Sequence, residues 1–279
     1  MQPLYYTSLA RLKLALRRDR LAGVRGFLGE FPLARWLARI LIPDRSEAWV
    51  KVEGGLAKGL ELRLNPTLEG NYWLGCHEPE LQDNLKRLCS PGCTAYDVGA
   101  YLGFFSLAIA RLIGPAGKVV AFEPDRENCS RIKEHAIRNN MLNQIRVVEA
   151  AVWSYSCASL PFKLGGIRNS HGGINADGLV PVLADGDCVS VPSVSLDAFT
   201  RQGHLPPDIV KIDVEGGECE VLKGGDRLIS CSKPVLICEV HHQEAAQWIT
   251  QWLAAKGYTG RWYVPGQLFP RLLIGQPRL

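Results

Sequence analysis

Acidic side chains at the ends of short apolar runs are the residues of this sequence whose type and spacing point most directly to chemistry. Asp97 lies in the run Ala95 to Val98, and Gly99, Ala100, Tyr101, Leu102 and Gly103 follow it. Two glycines bracketing three residues allow a sharp bend and let a ligand approach where a Cβ would block it. The helix expected next, Phe104 to Leu112, turns its N-terminal amides toward the same spot. A second apolar run, Lys118 to Phe122, delivers Glu123 and Pro124. That is roughly the spacing at which an acidic residue meets a ribose in nucleotide-binding βαβ units. A carboxylate there accepts both ribose hydroxyl protons, each charge-assisted bond being worth about 1.5–3 kcal/mol. These residues define a nucleoside pocket.

The turn narrows the ligand further. A dinucleotide oxidoreductase usually carries G-x-G-x-x-G, with a pyrophosphate at the helix end. Here the spacing is Gly99-x-x-x-Gly103, preceded by Asp97, whose charge repels phosphate. That acid suits a cation, which S-adenosylmethionine offers in its amino-acid portion without any phosphate.

A second acidic group lies downstream. Asp208 to Val214 reads as a buried strand that brings Asp213 and Glu215 to the carboxyl edge of the sheet, where ligands bind in open α/β folds. Lys211 and Asp213 share one face of it, and Glu215 continues that face if the chain stays extended. Isolated buried charge is unfavourable, so Lys211 and Asp213 mark either a site or a structural ion pair. Pro234 to Val240 is the next buried strand and presents Glu239 and His241 at the same edge. Asp213 or His241 is expected to be the base for a hydroxyl acceptor, with Glu215 and Glu239 orienting it or binding substrate hydroxyls. Asp213 is preferred because its strand end should face the glycine turn. In-line positioning supplies about 7–11 kcal/mol and a placed base about 10²–10⁴-fold. No metal is assigned.

Positioning these groups requires a sheet. Buried strands alternating with helices predict an α/β, doubly wound, Rossmann-like domain, closed by an antiparallel pair at Trp262 to Val264 and Leu272 to Ile274. A third strand runs from Ile145 to Ala151, and Glu149 and Ala150 at its end sit where an adenine is held in such folds, small residues leaving room for the ring. Val152 to Pro192 has no helical period, and so long an insertion reads as a lid or substrate-binding element. Within it His171 either touches substrate or is an ordinary surface histidine. Ala48 to Leu64 reads as a hairpin, and a helix follows up to about Leu88. Residues 4–42 read as helices with apolar stripes. The resulting organisation is a basic helical extension over 1–45, a hairpin and helix over 46–90, and a cofactor-binding domain over 91–279 with an insertion at 152–192.

The segments Asp97-Val98-Gly99-Ala100, Phe122-Glu123-Pro124, Lys211-Ile212-Asp213-Val214-Glu215-Gly216 and Glu239-Val240-His241 resemble the successive motifs of the FkbM-type S-adenosylmethionine-dependent methyltransferases. The resemblance runs from Trp73 to Tyr258. It implies a class I methyltransferase sheet, S-adenosylmethionine as cofactor, and O-methylation of a sugar or secondary-metabolite hydroxyl in natural-product or glycan biosynthesis. In that family a Gly-x-x-Glu stretch precedes the first motif and closes over the cofactor, which makes Glu78 a cofactor-side residue; the alternative is that Glu78 offsets a helix dipole. The family usually has Asn where Tyr101 stands.

Composition bounds the remaining choices. At 279 residues with 47% hydrophobic residues, the chain can bury a full core as one domain plus an extension. Nine cysteines form no spaced framework, which fits a reduced, cytoplasmic setting. The first residues lack a signal-peptide pattern, and no apolar run is long enough to cross a bilayer. The net charge of +4 is concentrated in residues 1–45, where nine Lys and Arg face three Asp and Glu. That segment either contacts an anionic membrane surface or acidic partner, or simply solvates its arginines. Nucleic-acid binding is not expected, because the rest of the chain is close to neutral and has no basic-aromatic stacking motif. The acceptor is expected to be a small molecule, glycan or secondary metabolite. Two alternatives are a nicotinamide-dependent oxidoreductase and a non-catalytic cofactor-binding scaffold.

Overall fold

The computed structural model describes residues 47–65, 68–163, 188–263 and 269–278. The helices expected over 4–42 and the loop carrying His171 lie outside the described residues. The chain divides into two compact units, residues 1–77 and 78–279. In the first, β1 (Ala48–Lys51) and β2 (Glu61–Leu64) form the expected antiparallel hairpin, with Ala48 opposite Leu64. The alternation along β2 has its reason in packing, since Leu62 and Leu64 are buried while Glu61 and Arg63 are half-buried. A short helix, α1 (Gly70–Leu74), follows. The segment expected over 46–90 therefore spans the division, its second helix α2 (Pro79–Leu88) belonging to the other unit.

The second unit is built on a seven-stranded sheet. Its strands are β3 (Thr94–Val98), β4 (Lys118–Glu123), β5 (Ile145–Glu149), β9 (Ile209–Ile212), β10 (Val235–Val240), β11 (Tyr258–Tyr263) and β12 (Arg271–Pro277). They lie in the order β11-β12-β10-β9-β3-β4-β5, with β12 antiparallel to both neighbours and the five strands from β10 to β5 parallel. Parallel neighbours need crossover connections. These are supplied by α3 (Phe104–Ile113), α4 (Arg126–Arg138), α5 (Leu196–Arg201), α6 (Glu218–Gly224) and α7 (Asp226–Ser232), while α8 (Gln243–Ala255) leads to the closing pair. Every residue from Phe104 to Ala110 is buried, as an apolar helix laid on a sheet requires. Asp125 caps α4, its side chain accepting from the Glu127 and Asn128 N–H groups, and Ser195 caps α5 through the Ala198 N–H.

Register decides which side chains meet. Asp97 lies opposite Lys211, Lys211 opposite Ile237, and Glu123 opposite Glu149. With a period of two, Asp97, Glu123, Glu149, Lys211 and Glu239 all share one face near the carboxyl ends of their strands. The opposite face carries Tyr96, Val98, Phe122, Val210, Ile212, Cys238 and Val240 into the main hydrophobic core. The sheet is thus apolar below and charged above at one edge.

Two expectations are corrected by the backbone. The third strand does not continue to Ala151: β5 stops at Glu149, the Ala150 N–H turns back to the Val148 carbonyl, and β6 (Ala151–Val152) joins a separate three-stranded sheet. There it pairs with β8 (Cys188–Val194), which pairs on its other side with β7 (Cys157–Lys163), so the insertion begins and ends in strand instead of irregular chain. The fourth strand ends at Ile212, and Glu215 has φ 53°, so the face shared by Lys211 and Asp213 is not extended to Glu215. No helix among the described residues is long and apolar enough to cross a membrane.

Candidate active site

The loop after β3 forms the first half of the site. Gly99 has φ +79°, and a Cβ built there would lie 1.8 Å from the Asp213 carbonyl oxygen, so both conformation and space require glycine. The Gly99 and Ala100 N–H groups both donate to the Phe122 carbonyl, at 3.0 and 3.1 Å. Gly103, at φ +85°, starts α3. Tyr101 sits between them at φ 49° and donates its N–H to Glu123 Oε2 at 2.8 Å, while the Asp125 N–H donates to Oε1 at 3.0 Å. Burial pushes the Glu123 carboxyl up to about 7 against the pull of these two N–H groups. The Asn128 side-chain amide is a long second donor to Oε1 at 3.5 Å, while Oε2 has a second lone pair, so the carboxylate retains capacity to accept from a diol. Pro124 is half-buried, Glu149 is exposed beside the end of β4, and Ala150 is buried.

The second half is a charged cluster at the ends of β3, β9 and β10. Lys211 is 3% exposed; its Nζ lies 3.3 Å from Asp97 Oδ1 and 3.3 Å from Asp213 Oδ2, and it donates to the Gly99 carbonyl at 3.1 Å. Burial works against its charge, but Asp97, Asp213 and Glu78 outweigh it and hold the ammonium well above its ordinary range. Asp97 is fully buried, and its second oxygen accepts from the Ser106 hydroxyl at 2.5 Å. At Asp213 burial is likewise overcome, by Lys211 and His241, and the carboxyl is held low. Glu239 behaves oppositely: burial, then the charges of Asp213 and Glu78, push it up to about 8. Glu239 is therefore the protonated member of the pair and donates its hydrogen bond to Asp213. His241 places Nδ1 2.6 Å from Glu218 Oε1 and Nε2 3.1 Å from Glu215 Oε2. Burial opposes its charge, but these two carboxylates raise it to about 10.

The five residues expected to be catalytic, Lys211, Asp213, Glu215, Glu239 and His241, are thus brought together with Asp97. Two roles change. The cation opposite Asp97 is supplied by the chain itself, as Lys211. His241 donates from both ring nitrogens to carboxylates, which only accept, so it is not the proton acceptor. Glu78 precedes α2 with φ 44° and makes no side-chain cap, whereas Glu80 is the acid of that helix's first turn. The charge of Glu78 is felt by Lys211 and Glu239. Asp213, Glu239 and His241 bring one polar atom each within 4.8 Å of one another, close enough to hold a metal ion; the His241 nitrogens are turned to Glu218 and Glu215 instead, with Glu239 Oε2 4.0 Å away.

Two participants escape the sequence reading. Ser106 is the one hydroxyl in an otherwise apolar helical stretch, which was its only signal. Glu218 stands three residues after Glu215 at the start of α6, a spacing equally typical of a helix N-terminus. Backbone strain gives an independent pointer. Among the described residues five non-glycines have positive φ, and three of them, Glu78, Tyr101 and Glu215, lie here. Such conformations concentrate at functional sites.

An open α/β sheet with one antiparallel strand inserted next to its edge, and a glycine turn facing an acidic strand edge, defines a class I Rossmann-like methyltransferase fold. The chain belongs to the FkbM methyltransferase domain family, which it matches over residues 97–259. The hexuronic acid methyltransferase AglP of Haloferax volcanii is 30% identical over 147 residues, 52% of this chain and 55% of that protein. The match thus spans about half the length of that curated relative. Among solved structures, a methyltransferase FkbM from Methylobacillus flagellatus KT is 18% identical with a TM-score of 0.48, the match covering 75% of this chain and 53% of that one. A precorrin-6y C5,15-methyltransferase from Geobacter metallireducens GS-15 is 13% identical with a TM-score of 0.46, covering 72% and 90%.

Proposed function

We propose that this chain transfers a methyl group from S-adenosylmethionine to a hydroxyl oxygen of a sugar or secondary-metabolite acceptor. The observation that carries this reading is the contact of Gly99 with the Asp213 carbonyl, which makes the glycine turn and the acidic edge one site. Membership of the methyltransferase family supports it, as does the hexuronic acid methyltransferase among the relatives.

The residues present fit the cofactor. Glu123 keeps lone pairs for a ribose diol, and the glycines leave its approach open. Six acidic side chains, Glu78, Asp97, Asp213, Glu215, Glu218 and Glu239, outnumber the basic Lys211 and His241. That excess suits a sulfonium and an ammonium and opposes the pyrophosphate of a nicotinamide dinucleotide. Bound there, S-adenosylmethionine supplies an electrophilic methyl whose sulfonium charge disappears on transfer.

Asp213, kept ionised by Lys211 and His241, accepts the proton of the acceptor hydroxyl. A carboxylate of low basicity is a weak base toward a free alcohol, but the oxygen becomes strongly acidic as its bond to the methyl forms. Asp213 therefore acts late in the step and mainly by orienting the hydroxyl. Glu239 donates to Asp213 and fixes its orientation.

Calorimetric titration with S-adenosylhomocysteine and with NAD, on the wild type and on Glu123→Ala, tests the cofactor. S-adenosylhomocysteine should bind, and the variant should lose about tenfold or more per ribose bond removed. Binding of NAD without S-adenosylhomocysteine would overturn the reading. Methyl-labelled S-adenosylmethionine with a panel of glycosides and glucuronic acid then tests the acceptor: label resistant to alkali marks an ether, and label released by alkali an ester.

A further inference from the structure

Glu218 adds to the negative charge of the site but has no part in proton transfer as described above, yet its carboxylate is fully buried. Its Oε1 accepts from two donors: the Gly216 N–H at 2.8 Å and His241 Nδ1 at 2.6 Å. Gly216 belongs to the turn that follows Asp213, and His241 follows Glu239 at the end of β10. One oxygen therefore ties together the two chain segments that carry the Asp213 and Glu239 pair. Its other oxygen, Oε2, is buried without a hydrogen-bond partner among the described residues.

Burying a carboxylate with one oxygen unsatisfied is unfavourable, and an apolar replacement of a buried ion pair is often neutral or stabilising. Stability is thus a poor account of Glu218. The arrangement has a different consequence. With Nδ1–H fixed on Glu218, the ring is oriented so that Nε2–H points to Glu215 Oε2 at 3.1 Å, with Glu239 Oε2 at 4.0 Å. Four acidic groups, Asp213, Glu215, Glu218 and Glu239, face this one ring.

We propose that Glu218 is a positioning residue of the methyl-transfer site: through Gly216 and His241 it holds the imidazole as a fixed, doubly donating cation beside Asp213 and Glu239. The cation favours the ionised form of the neighbouring carboxyls and so keeps Asp213 as the acceptor. The role rests on the proposed function of the site for its purpose, but the contact itself can be tested without turnover.

The test is nitrogen-15 NMR of histidine-labelled full-length protein, the His241 signals being assigned with His241→Gln. In the wild type both ring nitrogens should stay protonated well past neutrality, with loss at about pH 10. Glu218→Gln retains an oxygen acceptor but removes the charge, and should lower that midpoint by about two units, a hundredfold in affinity for the proton. Glu218→Asp, which restores a charge, should recover part of the shift. An unchanged midpoint in Glu218→Gln overturns the proposal. So does a wild-type His241 that titrates at the ordinary 6.5, a result that needs no variant to fold. S-adenosylhomocysteine binding measured on the same wild-type sample separates the two readings, since its absence would sink the methyltransferase site while leaving the Glu218 contact to stand or fall on the spectra.

Discussion

Gly99 faces the carbonyl of Asp213 so closely that a methyl group on its Cα would lie 1.8 Å from that oxygen. The Asp213 N–H in turn donates to the Val98 carbonyl at 3.0 Å, so the ends of β3 and β9 are fastened on both sides of the turn. Motifs far apart in the chain are one structure at this point. Replacing Gly99 by Ala adds both a clash with backbone and a left-handed strain of about 1–2 kcal/mol. Gly99→Ala should therefore lower the thermal midpoint and abolish S-adenosylhomocysteine binding together. A variant that keeps wild-type affinity would show that the turn is not where the ligand lies.

Lys211 and Asp97 make a stricter test of how the site is held. The pair is buried on both sides, with side chains 3% and 0% exposed. Lys211→Met keeps the aliphatic stem and leaves Asp97 with no compensating ammonium, a change that typically destabilises by about 3–5 kcal/mol. Combining it with Asp97→Asn should restore part of that loss, because the isolated charge is gone. Urea unfolding midpoints of the single and double variants decide it; additive losses would mean that the two residues do not form a unit.

How much of this was legible in sequence depends on whether the information was local. The strand, glycine turn, helix and Glu123 could be read because each is set within a few residues by apolar runs and glycines. That Asp97 would be compensated by Lys211 could not, since their opposition comes from the register of two strands more than a hundred residues apart. The reversal of Glu215 was hidden because a single left-handed residue cancels the alternation on which its facing was inferred. Ala150 looked like the continuation of a strand for the same reason: β5 and β6 are separated by one residue, and only their partners reveal two sheets. Glu218 carried no signal beyond that of an ordinary helix start.

Tyr101 occupies a left-handed position, φ 49°, that β-carbon sterics disfavour and that Asn tolerates best among residues with side chains. Its N–H bond to Glu123 is a backbone contact, which any residue but proline preserves. Tyr101→Asn should accordingly raise stability by about 0.5–1 kcal/mol, after subtracting the approach of the Arg131 guanidinium 6.0 Å above the ring. A denaturant midpoint below that of the wild type would show that the ring contributes more than the backbone strain takes away.

Stability should fall on the alkaline side before any ordinary lysine titrates. Glu239 and His241 bind their protons more tightly in the folded protein, so the stabilisation is complete below their unfolded values and is lost as pH rises through the folded ones. For Glu239 that window runs from 4.5 to about 8, and for His241 from 6.5 to about 10. Asp213, held low, has the opposite sign and matters only in acid, below 3.8. Buried thiols such as Cys129 add to the alkaline slope only beyond their ordinary 9.0. Thermal midpoints followed from neutrality to just below that value should decline in the wild type and decline less in His241→Asn. Parallel slopes would show that His241 is not held as a cation.

Asp213 and Glu239 should respond unequally to loss of charge, because they are not in the same protonation state. Glu239, raised to about 8, already carries a proton at neutrality, and Gln at that position reproduces a neutral donor to Asp213. Asp213 carries the negative charge that accepts the hydroxyl proton, and Asn cannot take it. With an acceptor in hand, Asp213→Asn should reduce kcat by about 10²–10⁴-fold. Glu239→Gln should cost less than about tenfold below its titration point, and both should keep S-adenosylhomocysteine affinity near that of the wild type. The pH profile then discriminates further. Above about 8 the wild-type pair carries a second charge, whereas Glu239→Gln cannot, so the variant should overtake or match the wild type there if the single shared proton is what orients Asp213. A larger loss in Glu239→Gln than in Asp213→Asn would exchange the two roles, placing the proton acceptor on β10.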